Sequence, residues 1–365
     1  MDDGTVWVGL DLGLRETHVC VIGADGDPLH EQSCETALAA LNDALAQFPL
    51  GRIGAIAVEA GSDTHIVRKL RSAGFPVAIF EARKASKFLA LRRNKTDASD
   101  ARGLADLARL GRSTVSQVYL KSPECQQLRG LLVMRKRLVI MRLAAESLLR
   151  SRLGQHGRRL KAGSAPGSLR KRLEIELAQL SANDGVDLRQ ELAPLAEVCE
   201  SLRTYLRTLD RDLEKRASAH EVCRRLMEVP GVGAICALSF YSAIEDPHRF
   251  SVNQGVGAYL GLSPRRYQSG ATARTRGITK SGSKMTRSHL VIAATVFGAC
   301  APDCRLKQWY LALRERSGPG RARVALARKL AIMLLAMWKN GTHFELLPGN
   351  GHAEADVRQA VEAAG

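Results

Sequence analysis

Four acidic residues in the first hundred positions have the types and spacing to hold a hard cation. Asp11 closes the apolar run VWVGLDLG, and Glu59 closes a second one, GAIAVEAG, where Ala60 and Gly61 leave room for a ligand to approach. A carboxylate at such a strand end is costly to bury unless a cation or donor meets it. Asp97 and Asp100 stand three apart in NKTDASDARGLADL. On a helix that spacing puts them on one face, about 60° apart around the axis. Two strand-end acids and two acids on one turn make a cage for Mg²⁺ or Mn²⁺, which take oxygen ligands and can activate the attacking and leaving oxygens of a phosphodiester. Asp97 has a second reading, as the N-cap of the helix that follows it.

A different chemistry is gathered near the C-terminus. The stretch AYLGLSPRRYQSGATARTRGITKSGSKMTRSHL carries the hydroxyls of Ser263, Ser269, Thr272, Thr275, Thr279 and Ser281 among cations. Ser269 is distinguished by Gly270, which frees its backbone, and by Arg265, Arg266 and Arg274 around it. Cationic neighbours stabilise an alkoxide and a pentacovalent phosphate, so Ser269 reads either as a nucleophile or as a hydrogen-bond donor to a phosphate. Just upstream, LMEVPGVGAICALSFYSAI has the form of a helix-hairpin-helix element. Its Gly231 and Gly233 would present backbone N–H groups to a phosphate, or else form a plain turn between core helices.

The elements that must position these groups follow from periodicity. Strands are predicted over Val6–Leu10, Thr17–Ile22, Leu29–Cys34, Ile53–Val58 and Val77–Phe80, the first three as an antiparallel meander. Helices are predicted over Thr36–Gln47, Asp63–Ala73 and Asp97–Leu110, each of the last two ended by a glycine. This is an α/β layer plan for residues 1–121. Residues 122–220 read as a helical middle, with long helices over Ser122–Arg152 and Arg170–His220, the second broken near Asn183-Asp184-Gly185. They would pair as a hairpin that serves either packing or the joining of subunits. A basic Gly/Ser-containing linker is expected near 150–172, a mainly α C-terminal domain over 221–346, and a flexible tail over 347–365.

Composition narrows the class of partner. Of 365 residues, 54 are Lys or Arg and 37 Asp or Glu, a net charge of +17 that marks a polyanion binder. Between Asp246 and Asp303 there is no acidic residue, while Arg265, Arg266, Arg274, Arg276, Lys280, Lys284 and Arg287 lie within that tract, which is expected to face phosphates. Of the eight cysteines only Cys300 and Cys304 lie close together, with no second pair at zinc-ligand spacing; no apolar run reaches the roughly 20 residues that span a bilayer, and the chain opens without a secretory signal. A reduced cytoplasmic protein with ordinary thiols is the expected reading.

The α/β plan with Asp11, Glu59, Asp97 and Asp100 resembles the RuvC-like, RNase H-fold domain with a D-E-D-D set. NKTDASDARGLADLARLG, together with GLSPRRYQSG and GITKSGSKMTRSHL in the same order, resembles the insertion-sequence 110 transposases, relatives of the Piv-type DNA invertases. The resemblance covers nearly all of residues 5–345. It implies that the four acids hold Mg²⁺ or Mn²⁺, and that Ser269 is the nucleophile, reaching the scissile phosphate from another subunit. It further implies donor and target duplex DNA as substrates, a structured non-coding (bridge) RNA as guide, and a dimer that assembles to a tetramer. The alternative is a RuvC-like metal-dependent nuclease or junction resolvase, in which water attacks and Ser269 only positions DNA.

Overall fold

The computed structural model describes residues 4–61, 63–91, 96–111, 117–160, 167–269 and 272–346, with the backbone alone at 266–269 and 272–276. The chain divides into two compact units, Met1–Leu120 and Lys121–Gly365.

In the first unit the apolar runs become β1 (Val6–Leu12), β2 (Glu16–Ile22) and β3 (Pro28–Glu35), followed by helix α1 (Leu38–Leu45) and strand β4 (Ile53–Glu59). Helix α2 (Thr64–Ser72) leads to β5 (Val77–Phe80), and α3 (Ala82–Leu89) and α4 (Asp97–Leu110) complete the unit. The sheet order is β3-β2-β1-β4-β5, with β2 antiparallel to both neighbours and β1, β4 and β5 parallel. This mixed sheet with its flanking helices is consistent with an RNase H-like domain.

Alternation along the strands sorts the two faces. Val8, Leu10, Ile56 and Val58 point to one side, where they are buried with Leu41 and Leu45 of α1 and Ile66, Val67 and Leu70 of α2. Ala57, Ala78 and Phe80 point to the other, against Leu104, Leu107 and Ala108 of α4. Helix α4 lies very close on this second face. A Cβ at Gly9 of β1 would overlap the Ala101 carbonyl and the Ala105 amide, so only glycine admits the helix backbone here.

The second unit is helical apart from one hairpin. Helices α5 (Pro123–Gln155), α6 (Ser168–Asp184) and α7 (Arg189–Ala219) are followed by α8 (Glu221–Leu226), α9 (Ala234–Ile244) and α10 (Gly255–Tyr259). Strands β6 (Pro264–Ser269) and β7 (Thr272–Ile278) precede α11 (Lys284–Cys300), α12 (Arg305–Ser317) and α13 (Pro319–Asn340). Helices α5 and α7 run antiparallel, as the pairings Arg135–Asp210, Glu146–Arg203 and Arg152–Glu191 require. Glu146 and Arg203 are both buried, with the Arg203 Nε donating to Glu146 Oε1 at 3.0 Å.

Two expectations are corrected. The linker near 150–172 is shorter than expected: α5 runs to Gln155 and α6 starts at Ser168, because Leu149, Leu153, Leu160, Leu169 and Leu173 share a core. The boundary at 220 does not separate cores. Leu128, Leu132, Leu213 and Ala217 of the helical hairpin are buried together with Leu226, Phe240 and Leu290. Lys121 Nζ also donates to Ala243 O at 2.6 Å, and Ser122 N to Glu245 Oε1 at 2.7 Å, tying the start of α5 to the end of α9. The C-terminal part is mainly α, as expected, and the β6–β7 hairpin within it is an element the sequence did not reveal. Among the described residues no single helix is long and apolar enough to cross a membrane. The tail at 347–365 lies outside the described residues.

Candidate active site

The four acids lie toward one end of the sheet, on the side that α4 covers. Asp11 is two residues beyond Gly9 and Glu59 two beyond Ala57, so both continue the face that α4 covers. The parallel pairing Leu10↔Val58 brings the two strand ends level. Ala60 N donates to Phe80 O at 2.8 Å and holds the backbone beyond Glu59 in the sheet. Both carboxylates are half-buried.

Helix α4 brings the other two. Asp97 is one turn before Ala101, which rests on Gly9, and Asp100 is one turn before Leu104, which packs beside Ala57. Asp97 therefore lies over the β1–β2 side and Asp100 over the β4 side. The ambiguity at Asp97 is resolved by its neighbour: Thr96 is the N-cap, its side chain accepting from Ser99 N at 3.1 Å. Asp97 is left with its carboxylate exposed, 3.7 Å from His18 Nε2. His18 was not singled out from sequence. It pairs with Asp11 across β1 and β2, and its Nδ1 lies 2.9 Å from Ser33 Oγ. Only the strand register reveals it.

The donor set is all carboxylate oxygen, the chemistry a hard divalent cation requires, and the fold places it toward one end of the central strands. It is not drawn into a single coordination shell, since among the described residues no three of His, Cys, Asp or Glu come close enough to hold a metal ion.

In the second unit Ser269 is the last residue of β6, paired with Thr272 of β7, and Gly270 lies outside the described residues. Register also pairs Arg266 with Thr275 and Tyr267 with Arg274, so by backbone these residues precede the Ser269–Thr272 pair toward the hairpin root. The root of this hairpin is tightly held. Thr279 N donates to Ser263 O at 2.9 Å and Lys280 N to Gly261 O at 3.1 Å. Gly261 and Gly282 both adopt left-handed φ, +69° and +65°, where a Cβ would overlap the Ser281 backbone and the Tyr259 carbonyl respectively.

Arg287 needs correction. Expected to face phosphates, it is buried instead, and its Nη1 donates to Leu260 O and Ser281 O, both at 2.8 Å. It pins the two sides of the hairpin root together. Replacing it with Met is expected to cost about 2 kcal/mol, because a buried carbonyl and a partly buried one lose a charged donor. A denaturant titration with no change in midpoint would remove this role. Arg265, Lys280 and Lys284 are exposed as expected, while Arg274 and Arg276 are placed only by backbone. Gly231, at φ +84°, lies against α11, where a Cβ would come within 2.5 Å of Ala293 O; Gly233 is exposed at the N-terminus of α9 with open space around it. Of the two turn glycines, Gly231 thus has a packing reason to be glycine and Gly233 does not.

Comparison with known proteins gives this arrangement its context. A family model of DEDD transposases, described as transposase, matches residues 8–157, which include all four acids. A second, described as transposase IS116/IS110/IS902 family, matches residues 223–307, which include Ser269. The transposase for insertion sequence element IS1111A of Coxiella burnetii is 31% identical over 296 residues, 78% of this chain and 78% of its own. A putative transposase, y4pF/y4sB, of Sinorhizobium fredii is 30% identical over 300 residues, 80% of this chain and 75% of its own. The transposase for IS1328 of Yersinia enterocolitica is 26% identical over 345 residues, 92% of this chain and 98% of its own.

The two family models and these relatives together make the chain a DNA transposase, an enzyme whose substrate is DNA. The chain belongs to the IS116/IS110/IS902 family of insertion-sequence transposases.

Proposed function

We propose that this transposase excises and integrates its element through a covalent phosphoserine intermediate, with Asp11, Glu59, Asp97 and Asp100 as ligands of a divalent cation and Ser269 as nucleophile. The observation that carries the reading is the common placement of the four acids: two strand ends and one helical turn on a single face, with Thr96 relieving Asp97 of the cap. A divalent ion, Mg²⁺ or Mn²⁺, would polarise the phosphate and stabilise the leaving oxygen. Ser269 Oγ forms the new bond to phosphorus, the deoxyribose P–O bond breaks, and one DNA end departs as a hydroxyl. The hydroxyl proton of Ser269 passes to a carboxylate or to solvent. The phosphoserine ester keeps the bond energy for rejoining, and attack by a second DNA hydroxyl releases the serine.

Arg265, Arg266, Arg274, Arg276, Lys280 and Lys284 serve to neutralise the phosphates around the scissile one, and Gly231 and Gly233 present the α8–α9 turn to the backbone of the duplex. Joining two duplexes calls for more than one protomer, a dimer assembling to a tetramer. Val133, Met134, Ile140, Met141 and Leu148 of α5 are exposed at seven-residue recurrence, the pattern of a helical seam with a second copy. The proposal includes a structured non-coding RNA as guide, for which the net charge of +17 supplies the electrostatics.

The test is the intermediate itself. End-labelled element DNA incubated with the protein and Mg²⁺ is expected to stay attached through denaturing electrophoresis, and mass spectrometry of the digested adduct should assign the phosphate to Ser269. Cleaved DNA with free ends and no adduct would exclude the covalent route.

A further inference from the structure

The turn between α12 and α13 carries charge that the protein does not compensate. Arg314 and Arg316 occupy the last turn of α12, Arg321 and Arg323 the first turns of α13, and Gly318, at φ +82°, joins the helices. Arg314, Arg316 and Arg321 are exposed. Arg323 Nε donates to Pro319 O at 3.2 Å, which leaves the rest of its guanidinium available at the turn. Glu315 is the single acid between residues 304 and 344. Among the described residues none of the four arginines makes an ion pair with a carboxylate.

Elsewhere in the same unit the long helices behave differently. Arg135, Arg152, Arg203 and Arg225 each face a carboxylate from α5, α7 or α8. At the α12–α13 tip, by contrast, like charges crowd together. Arg321 and Arg323 also sit at a helix N-terminus, where the macrodipole disfavours cations, and α13 has no acid in its first turn and no side-chain cap. Gly320 adds a second anomaly. It weakens a helix without filling any packing need, because a Cβ there would meet nothing within 4 Å. A bare backbone beside four guanidiniums and unpaired helix N–H groups is suited to the close approach of an external polyanion.

We propose that the tip of the α12–α13 hairpin binds the phosphodiester backbone of duplex DNA, at a surface separate from the serine hairpin and independent of base sequence. It lies beyond residues 223–307, the stretch matched by the second family model. Its role is to hold a length of duplex outside the reacting phosphates. The inference needs only DNA as partner, and it stands or falls apart from the serine chemistry.

The test uses the full chain carrying Ser269→Ala, which prevents any covalent capture, and a random-sequence duplex of about 30 base pairs as probe, long enough for several phosphate contacts. Binding is measured across a salt series. Each phosphate contact contributes about 0.9 to the slope of log K against log salt, so replacing Arg314, Arg316 and Arg321 together by Gln is expected to lower the slope by about 2 to 3. The thermal midpoint should not move. The same three positions changed to Lys should restore the slope, since the contact is electrostatic. Gln at three exposed cations of the first unit, Lys69, Arg83 and Lys87, should leave it as in the parent. A parental slope in the Arg→Gln triple would overturn the proposal, as would an equal fall in the first-unit triple, which would reduce the effect to net charge. A slope change seen with an RNA hairpin but not with the duplex would overturn the assignment to DNA.

Discussion

Ser269→Ala is expected to abolish strand joining and the protein–DNA adduct while leaving DNA binding intact. The loss should be on the order of 10⁶-fold, the scale on which an enzyme deprived of its nucleophile falls. The expectation separates two mechanisms that share the same acids. If water were the attacking group, an alanine at the tip of the β6–β7 hairpin would remove one hydrogen bond to a phosphate, and nicking would continue within about tenfold of the parent rate. If Ser269 attacks, no nick is formed at all. Asp11→Asn provides the complementary measurement, since it should silence both mechanisms alike. The hairpin's anchoring fits the nucleophile reading. Gly261, Gly282 and Arg287 fix its root, so that the terminal Ser269–Thr272 pair is carried on a defined base. A Ser269→Ala protein that still nicks its element ends at near-parental rate would leave the acids as a hydrolytic centre and the serine as a positioning group.

The N-terminal sheet was legible from the chain because each of its signals is local. Apolar runs of strand length, turn residues between them and glycines after the helices mark β1 to β5, α2 and α4 within one or two residues. Helix α3 was not read. It shows only Ala85 and Leu89 as buried positions among Arg83, Lys84, Ser86 and Lys87, too few to display a period. The β6–β7 hairpin escaped for a related reason: PRRYQS and TARTRGI interleave arginine with β-formers and offer no apolar alternation, so the backbone pairing alone defines them. The linker near 150–172 was drawn too long because its arginines are conspicuous in sequence, whereas leucines at helical spacing carry α5 and α6 into it. The four candidate acids were placed from the sequence at strand and helix ends, and the elements put them there. Two features were beyond reach without the tertiary structure: His18, which depends on the register of β2 against β1, and the burial of Arg287, which depends on the carbonyls of residues 260 and 281 converging on it.

The position with the largest structural effect carries no functional group. Gly9→Ala is expected to destabilise the first unit by about 3 kcal/mol or more, at or beyond the upper end for overpacking a core. Most added methyl groups displace a side chain that can change rotamer. At Gly9 the obstacles are the Ala101 carbonyl and the Ala105 amide, and neither can move without moving α4 as a whole. The helix must lift from β1, and since Asp97 and Asp100 occupy its first turn, they lift with it, away from Asp11 and Glu59. A misplacement of about 1 Å at a reacting centre can cost about 10² in rate, so the protein that remains folded should still cleave poorly. Gly51→Ala is the internal control, because a Cβ there meets nothing within 4 Å and φ is not left-handed, so its melting midpoint should match the parent. Equal melting midpoints for the Gly9→Ala and Gly51→Ala proteins would mean that α4 does not rest on β1 in solution. The geometric case for bringing the two helix acids to the two strand acids would then fail, because that packing is what sets the distance between them.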